Sequence, residues 1–159
     1  MPRSGGVPEV EDTSSPWAGV WVDQTTALLD STGEWTNKVE LADLNGDGLL
    51  DILFANGGNY STPGDLEMNR AFLNTGDGGR FEEVTEGVFG TTPDLTRVIK
   101  VRDTNNDGFV DVLVGNTYQT RTRLFAGQGE GRFVERSNRI PDRAMSIGDA
   151  EFGDIDGDG

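Results

Sequence analysis

A chain of 159 residues with 28 acidic and 13 basic side chains, a formal net charge of -15, presents a surface that repels nucleic acid and anionic lipid. It contains neither cysteine nor histidine, which excludes disulfides, thiolate metal sites and the usual general base. With no apolar run near the roughly 18 residues of a membrane span, membrane insertion is not expected either.

In chain order, residues 1–16 mix Pro, Gly, Ser and acids and read as a disordered lead-in. Arg3 has no apolar stretch behind it, so this segment does not read as a secretory signal. Residues 17–159 read as a repeat array. Trp21-Val-Asp-Gln-Thr25 matches the last strand of a unit. Val39 and Leu41 then alternate with Glu40, the period of a half-buried strand, and lead into an Asp-rich loop from Asp43 to Asp51. Ile52-Leu-Phe-Ala55 is apolar at successive positions, as in a short strand covered on both faces. Asn59 to Asn69, with Tyr60, Pro63 and Gly64, reads as an exposed insertion of the kind that can carry recognition. Asn59-Tyr60-Ser61 is formally a glycosylation acceptor.

Leu73 to Thr85 supplies a strand, a Gly-rich turn and a strand begun by Phe81. The pattern then recurs: Ile99 and Val101 about Lys100, an Asp loop from Asp103 to Asp111, Val112-Leu-Val114, and a second Gly-rich hairpin with Phe133. A third copy begins at Ala150 and reaches Gly159 inside its loop. The units are 39–85, 99–137 and a truncated 150–159, a period of about 50 to 60 residues, as propeller blades have. No helix of useful length is indicated. The fold class is all-β: a partial β-propeller of about two and a half four-stranded antiparallel blades.

The loops point to calcium. Nine carboxylates fall in three short clusters, and carboxylates about 4 Å apart repel by about 1 kcal/mol in water and about 4 kcal/mol at an effective dielectric of 20. Calcium takes six to eight hard oxygens in a flexible shell, roughly 2.3–2.6 Å away. Positions one, three and five of the loop, Asp43, Asn45 and Asp47 in one unit and Asp103, Asn105 and Asp107 in the next, can aim oxygens at one point. Gly48 and Gly108 follow where the chain turns sharply, the carbonyls of Leu49 and Phe109 are candidates for position seven, and Asp51 and Asp111 close the shell. Asp154, Asp156 and Asp158 begin a third such set. A helix–loop–helix calcium hand needs Glu at position twelve, whereas Phe54 and Val114 stand there. Plain turn formation by Asp-Gly and Asn-Gly pairs is the competing reading.

The Asp loops, the hairpins and Phe152-Gly153 ahead of Asp154 resemble the FG-GAP/VCBS repeat family, known from integrin alpha subunits and many bacterial surface proteins. The resemblance runs from Trp21 to Gly159. It implies β-propeller blades with structural calcium in loops between strands, extracellular or cell-surface placement, and a role in adhesion, recognition or scaffolding toward a protein or glycan ligand. It also implies further blades, so the chain reads as a fragment of a longer protein, with self-association as the alternative. A second functional reading is part of a calcium-dependent polysaccharide-degrading propeller. The remaining candidate bases, Tyr60, Tyr118, Lys38 and Lys100, are not grouped in sequence, so catalysis in this segment is not expected. Lys100, on the polar face of its strand, is expected to be a solvated lysine.

Overall fold

In the computed structural model the described residues are 33–157, apart from 79, 142 and 144. The expected lead-in at 1–16, the strand at Trp21 and the position of Asp158 lie outside them.

The described chain forms two four-stranded antiparallel sheets, each an up-and-down meander. The first contains β1 (Thr36–Ala42), β2 (Asp51–Asn56), β3 (Arg70–Asn74) and β4 (Phe81–Glu83). The second contains β5 (Thr96–Arg102), β6 (Asp111–Asn116), β7 (Arg123–Gly127) and β8 (Phe133–Glu135). Their registers match pair for pair: Val39 lies opposite Phe54 and Ile99 opposite Val114, and β1 and β5 each shift register once, at Thr36/Lys38 and Thr96/Val98. The expected all-β blades are therefore present. The longer repeat is explained by residues 57–69 between β2 and β3, against 117–122 between β6 and β7.

Apolar side chains set which surfaces meet. Leu53, Ala55 and Ala71 of the first sheet share one core with Ile99, Val112, Val114 and Phe125 of the second. The continuous apolar runs in β2 and β6, expected to be covered on both faces, bury Leu53, Ala55, Val112 and Val114 on one face and leave Ile52, Phe54 and Leu113 half-buried on the other. Each Leu, Ile, Val or Phe side chain in the shared core contributes about 1.5–3 kcal/mol on removal from water.

A one-turn helix, α1 (Thr85–Phe89), connects the sheets, where no helix of useful length was expected. Burial explains it: Val88 and Phe89 enter the shared core, Phe89 meeting the Phe125 ring edge-on at 5.8 Å between centroids. Gly90, at φ 71, then ends the turn.

Two further expectations change. Ile99 is completely buried, yet Val39, at the same place in β1, is 48% exposed, and Leu41 is 56% exposed. The sequence pattern is alike, but β5 has the first sheet against it and β1 has no such cover among the described residues. Lys100, expected to be a solvated lysine, instead pairs with Glu151 at 3.1 Å and Glu40 at 3.9 Å, and Glu151 first among these raises its pKa. Among the described residues the third unit contributes no strand. The segment leading into it is held to the end of β6 by Ile147 N–H to Asn116 O (2.9 Å) and to β1 by an ion pair of Asp149 with Lys38 (2.9 Å).

Candidate metal centres

The loops joining β1 to β2 and β5 to β6 lie at the same end of the sheets as the β3–β4 and β7–β8 turns. Four of their hydrogen bonds repeat atom for atom. The Gly48 N–H donates to Asp43 Oδ2 at 2.8 Å, and the Gly108 N–H to Asp103 Oδ2 at 2.9 Å. The Asp47 N–H donates to Asn45 Oδ1 at 3.0 Å, and the Asp107 N–H to Asn105 Oδ1 at 2.9 Å. The Leu49 and Phe109 N–H groups donate to Asp47 Oδ1 and Asp107 Oδ1, at 2.8 and 2.9 Å. Asn45 Nδ2 reaches Asp47 Oδ2, and Asn105 Nδ2 reaches Asp107 Oδ2, both at 2.9 Å.

Left-handed backbone makes these wraps possible. Gly46 and Asn106 at position four have φ of 82 and 58, and Gly48 and Gly108 at position six have φ of 84 and 87. Glycine adopts such values freely and asparagine tolerates them. The third loop starts the same way: Gly157, at φ 77, donates to Asp154 Oδ1 at 2.7 Å, matching Gly46 to Asp43 Oδ1 at 2.7 Å. Asp156 follows on the exposed turn.

Asp51 and Asp111 behave differently from the other loop acids. Asp51 is fully buried; its Oδ2 accepts the Leu44 N–H at 2.7 Å and its Oδ1 the Asn74 N–H at 2.8 Å. Asp111 repeats both contacts, with Thr104 N–H at 3.2 Å and Gly127 N–H at 3.0 Å, and also accepts the Thr104 hydroxyl. These two acids tie each loop to the outer hairpin. Burial pushes the Asp51 carboxyl up; two backbone donors oppose that, while Asp47 and Asp43 push it further up. For Asp103, desolvation acts upward, but the N–H groups of Gly108, Asn105, Asn106 and Asp107 outweigh it and hold the carboxyl low.

Among the described residues no three His, Cys, Asp or Glu side chains stand gathered about one point. Each of the first two loops has only three acids, since position three is asparagine, and all three carboxylates accept backbone N–H groups. The donor set is nonetheless all hard oxygen. A carboxylate oxygen that accepts one N–H retains acceptor capacity. The upward push of Asp47 and Asp43 on Asp51 is repulsion of the kind a cation in the loop would relieve. The chemistry of the loops fits calcium.

Sequence reasoning missed a second repeated device at the opposite end. The Thr36 hydroxyl donates to Asn56 Oδ1 at 2.8 Å and the Thr96 hydroxyl to Asn116 Oδ1 at 2.9 Å. Arg70 pairs with Glu83 (2.9 Å) and Arg123 with Glu135 (3.0 Å), and each guanidinium lies 4.7 Å from a ring centroid, Phe72 and Phe125 respectively. Those arginine bonds hold both glutamates below their ordinary range. The spacing Thr to Asn and the pair Arg-x-Phe recur in both units, a signal that aligning the units beyond their Asp loops would have found.

The candidate bases do not assemble. Lys38 and Lys100 are engaged with acids, Tyr118 donates to Asn59 O at 3.2 Å, and Tyr60 lies over Arg97.

Comparison with known proteins agrees with this geometry. The family model described as FG-GAP-like repeat matches residues 43–114 and again 103–159, one match beginning at each complete Asp loop. Integrin alpha-4 of Xenopus laevis is 28% identical over 176 residues, an alignment covering 98% of this chain and 17% of that protein. The chain thus spans less than a fifth of the curated relative it matches.

Proposed function

Because the chain belongs to the FG-GAP-like repeat family, we propose that it is a calcium-stabilised interaction module, part of a β-propeller of an exported or surface protein. One calcium ion would be held by Asp43, Asn45, Asp47, the Leu49 carbonyl and Asp51, and a second by Asp103, Asn105, Asp107, the Phe109 carbonyl and Asp111. Asp154, Asp156 and Asp158 would begin a third site. Bound calcium supplies charge neutralisation and loop order; the chemistry is structural.

The observation that carries this reading is the repetition of the loop bonds in two copies, each closed by a buried carboxylate fastened to the neighbouring hairpin. Two turns that merely reverse the chain do not require a buried acid that desolvation destabilises. The likeness to integrin alpha-4 supports an adhesion or scaffold role toward a protein or glycan, and the scattered candidate bases support a non-catalytic one. Placement outside cells follows from the same likeness and suits the site type, since extracellular modules function with dissociation constants of about 10⁻⁴–10⁻³ M. Residues 17–159 would form the array, joined by further blades in the parent protein.

Calcium titration by calorimetry on the metal-stripped chain, paired with a thermal melt, tests the proposal. Two binding events and a raised Tm are expected. Absence of binding to a chain that melts cooperatively would overturn it.

A further inference from the structure

We infer that Tyr60 and the loop presenting it form a stacking site for neutral carbohydrate, at the end of the sheets opposite the Asp loops. This rests on the reading of the chain as an interaction module and names its class of ligand.

Tyr60 is 82% exposed, so its ring contributes little to the core. It is nevertheless fixed. The Arg97 guanidinium lies 4.8 Å from the ring centroid and covers one face, which leaves the other open to solvent. Arg97 is itself held, donating to Asn37 Oδ1 at 2.6 Å and to the Asn59 carbonyl at 3.0 Å. Asn37 Nδ2 in turn bridges the carbonyls of Gly57 and Thr96, each at 2.7 Å, and the Tyr118 hydroxyl donates to the Asn59 carbonyl.

The loop is as firmly set as the ring. The Gly58 N–H donates to Asp65 O at 3.0 Å, and Glu67 and Asp94 exchange two backbone bonds at 3.0 and 2.9 Å. Gly57, at φ 98, has no room for a side chain: a Cβ there would stand 2.2 Å from Asp94 O. At Gly64, φ 67, a Cβ would stand 2.9 Å from Gly58 C. A flat ring held with one open face loses little freedom when it receives a ligand.

A pyranose offers the matching surface, an apolar face of C–H groups ringed by hydroxyls. The exposed Asp65 carboxylate and the loop carbonyls accept hydroxyl hydrogens. The net charge of -15 disfavours acidic sugars over the chain as a whole. Trp35, though exposed, is left out of the site. It occupies the place in the first unit that Leu95 occupies in the second, where Leu95 is buried near Gly58.

The test is affinity electrophoresis of the full calcium-loaded chain in gels containing neutral glucan, mannan, galactan or xylan, with polygalacturonate as the acidic comparison. At least one neutral polymer is expected to retard the chain. Tyr60→Ala is expected to weaken that binding about tenfold or more with an unchanged melt, and Tyr60→Phe to preserve it. Retardation by none of the neutral polymers, retardation that Tyr60→Ala leaves intact, or stronger binding to polygalacturonate overturns the inference. A melt with and without calcium on the same sample separates the two proposals. Calcium stabilisation without glycan binding removes this inference alone; glycan binding lost in Tyr60→Ala upholds it even where calcium has no effect.

Discussion

Asp51 accepts the Asn74 backbone N–H at 2.8 Å and thereby fastens the first Asp loop to the outer hairpin of its own sheet. The same carboxylate caps the Leu44 N–H, so one buried side chain satisfies two donors from segments far apart in sequence. Asp51→Ala leaves both donors without that partner. An unsatisfied buried group costs about 1–3 kcal/mol, and Leu44 N–H is buried while Asn74 N–H is only part-buried, so a loss of at least about 1–3 kcal/mol is expected even without calcium. Asp43→Ala, whose partners are exposed loop N–H groups, is expected to lose much less in that condition. Urea unfolding in chelator measures both; equal losses would contradict the division of labour.

With calcium present the ranking changes. Asp43→Ala and Asp103→Ala are each expected to remove one of two calorimetric binding events and part of the calcium-dependent rise in Tm. Glu82→Ala, on an exposed strand position outside the loops, should keep both events. At calcium one hundred times its dissociation constant, each intact site adds about 2.7 kcal/mol.

Acid should unfold the chain through the arginine pairs. Arg70 holds Glu83, and Arg123 holds Glu135, below the ordinary glutamate value of 4.5. A carboxyl with a depressed folded pKa stabilises the fold fully above its unfolded value, and that contribution is lost as pH falls through the folded value. Tm is therefore expected to fall as pH is lowered below about 4.5. Glu83→Gln and Glu135→Gln together should lower Tm at neutral pH and flatten the acid limb. An unchanged acid limb would show that other groups control it.

Gly127 lies where β7 passes the second Asp loop, and a Cβ there would stand 2.3 Å from Val110 O. Gly127→Ala is expected to cost about 1–3 kcal/mol through forced backbone movement. Gly148→Ala, where a Cβ meets nothing within 4 Å and φ is not positive, is expected to be neutral or slightly stabilising. Thermal melts of the two variants should separate clearly.

The repeats made the strands, the Asp loops and the site of the insertion legible, because a twofold recurrence of Asp, Gly and apolar positions constrains register more than any single segment does. Phe81 and Phe133 do begin the last strands, as their place after each Gly-rich turn suggests. Other features depended on neighbours distant in sequence. Val39 and Ile99 belong to the same pattern and differ only in what lies against them. Lys100 looks like a surface lysine until Glu151, far along the chain, comes beside it. Helix α1 is too short to have a period, and burial of Val88 and Phe89 defines it. The oxygen donor set of the Asp loops was legible, whereas the engagement of Asp51 and Asp111 by backbone donors of the neighbouring hairpin emerges only in three dimensions.

The contrast between Val39 and Ile99 gives each unit a front and a back. The front is apolar, exposed at Val39 and Leu41 in the first unit and covered at Ile99 in the second; the back of the first unit is the surface that covers Ile99. The two described units join front to back, so an array that repeats this junction is vectorial. Its two ends differ chemically, and a surface that seals one cannot serve for the other.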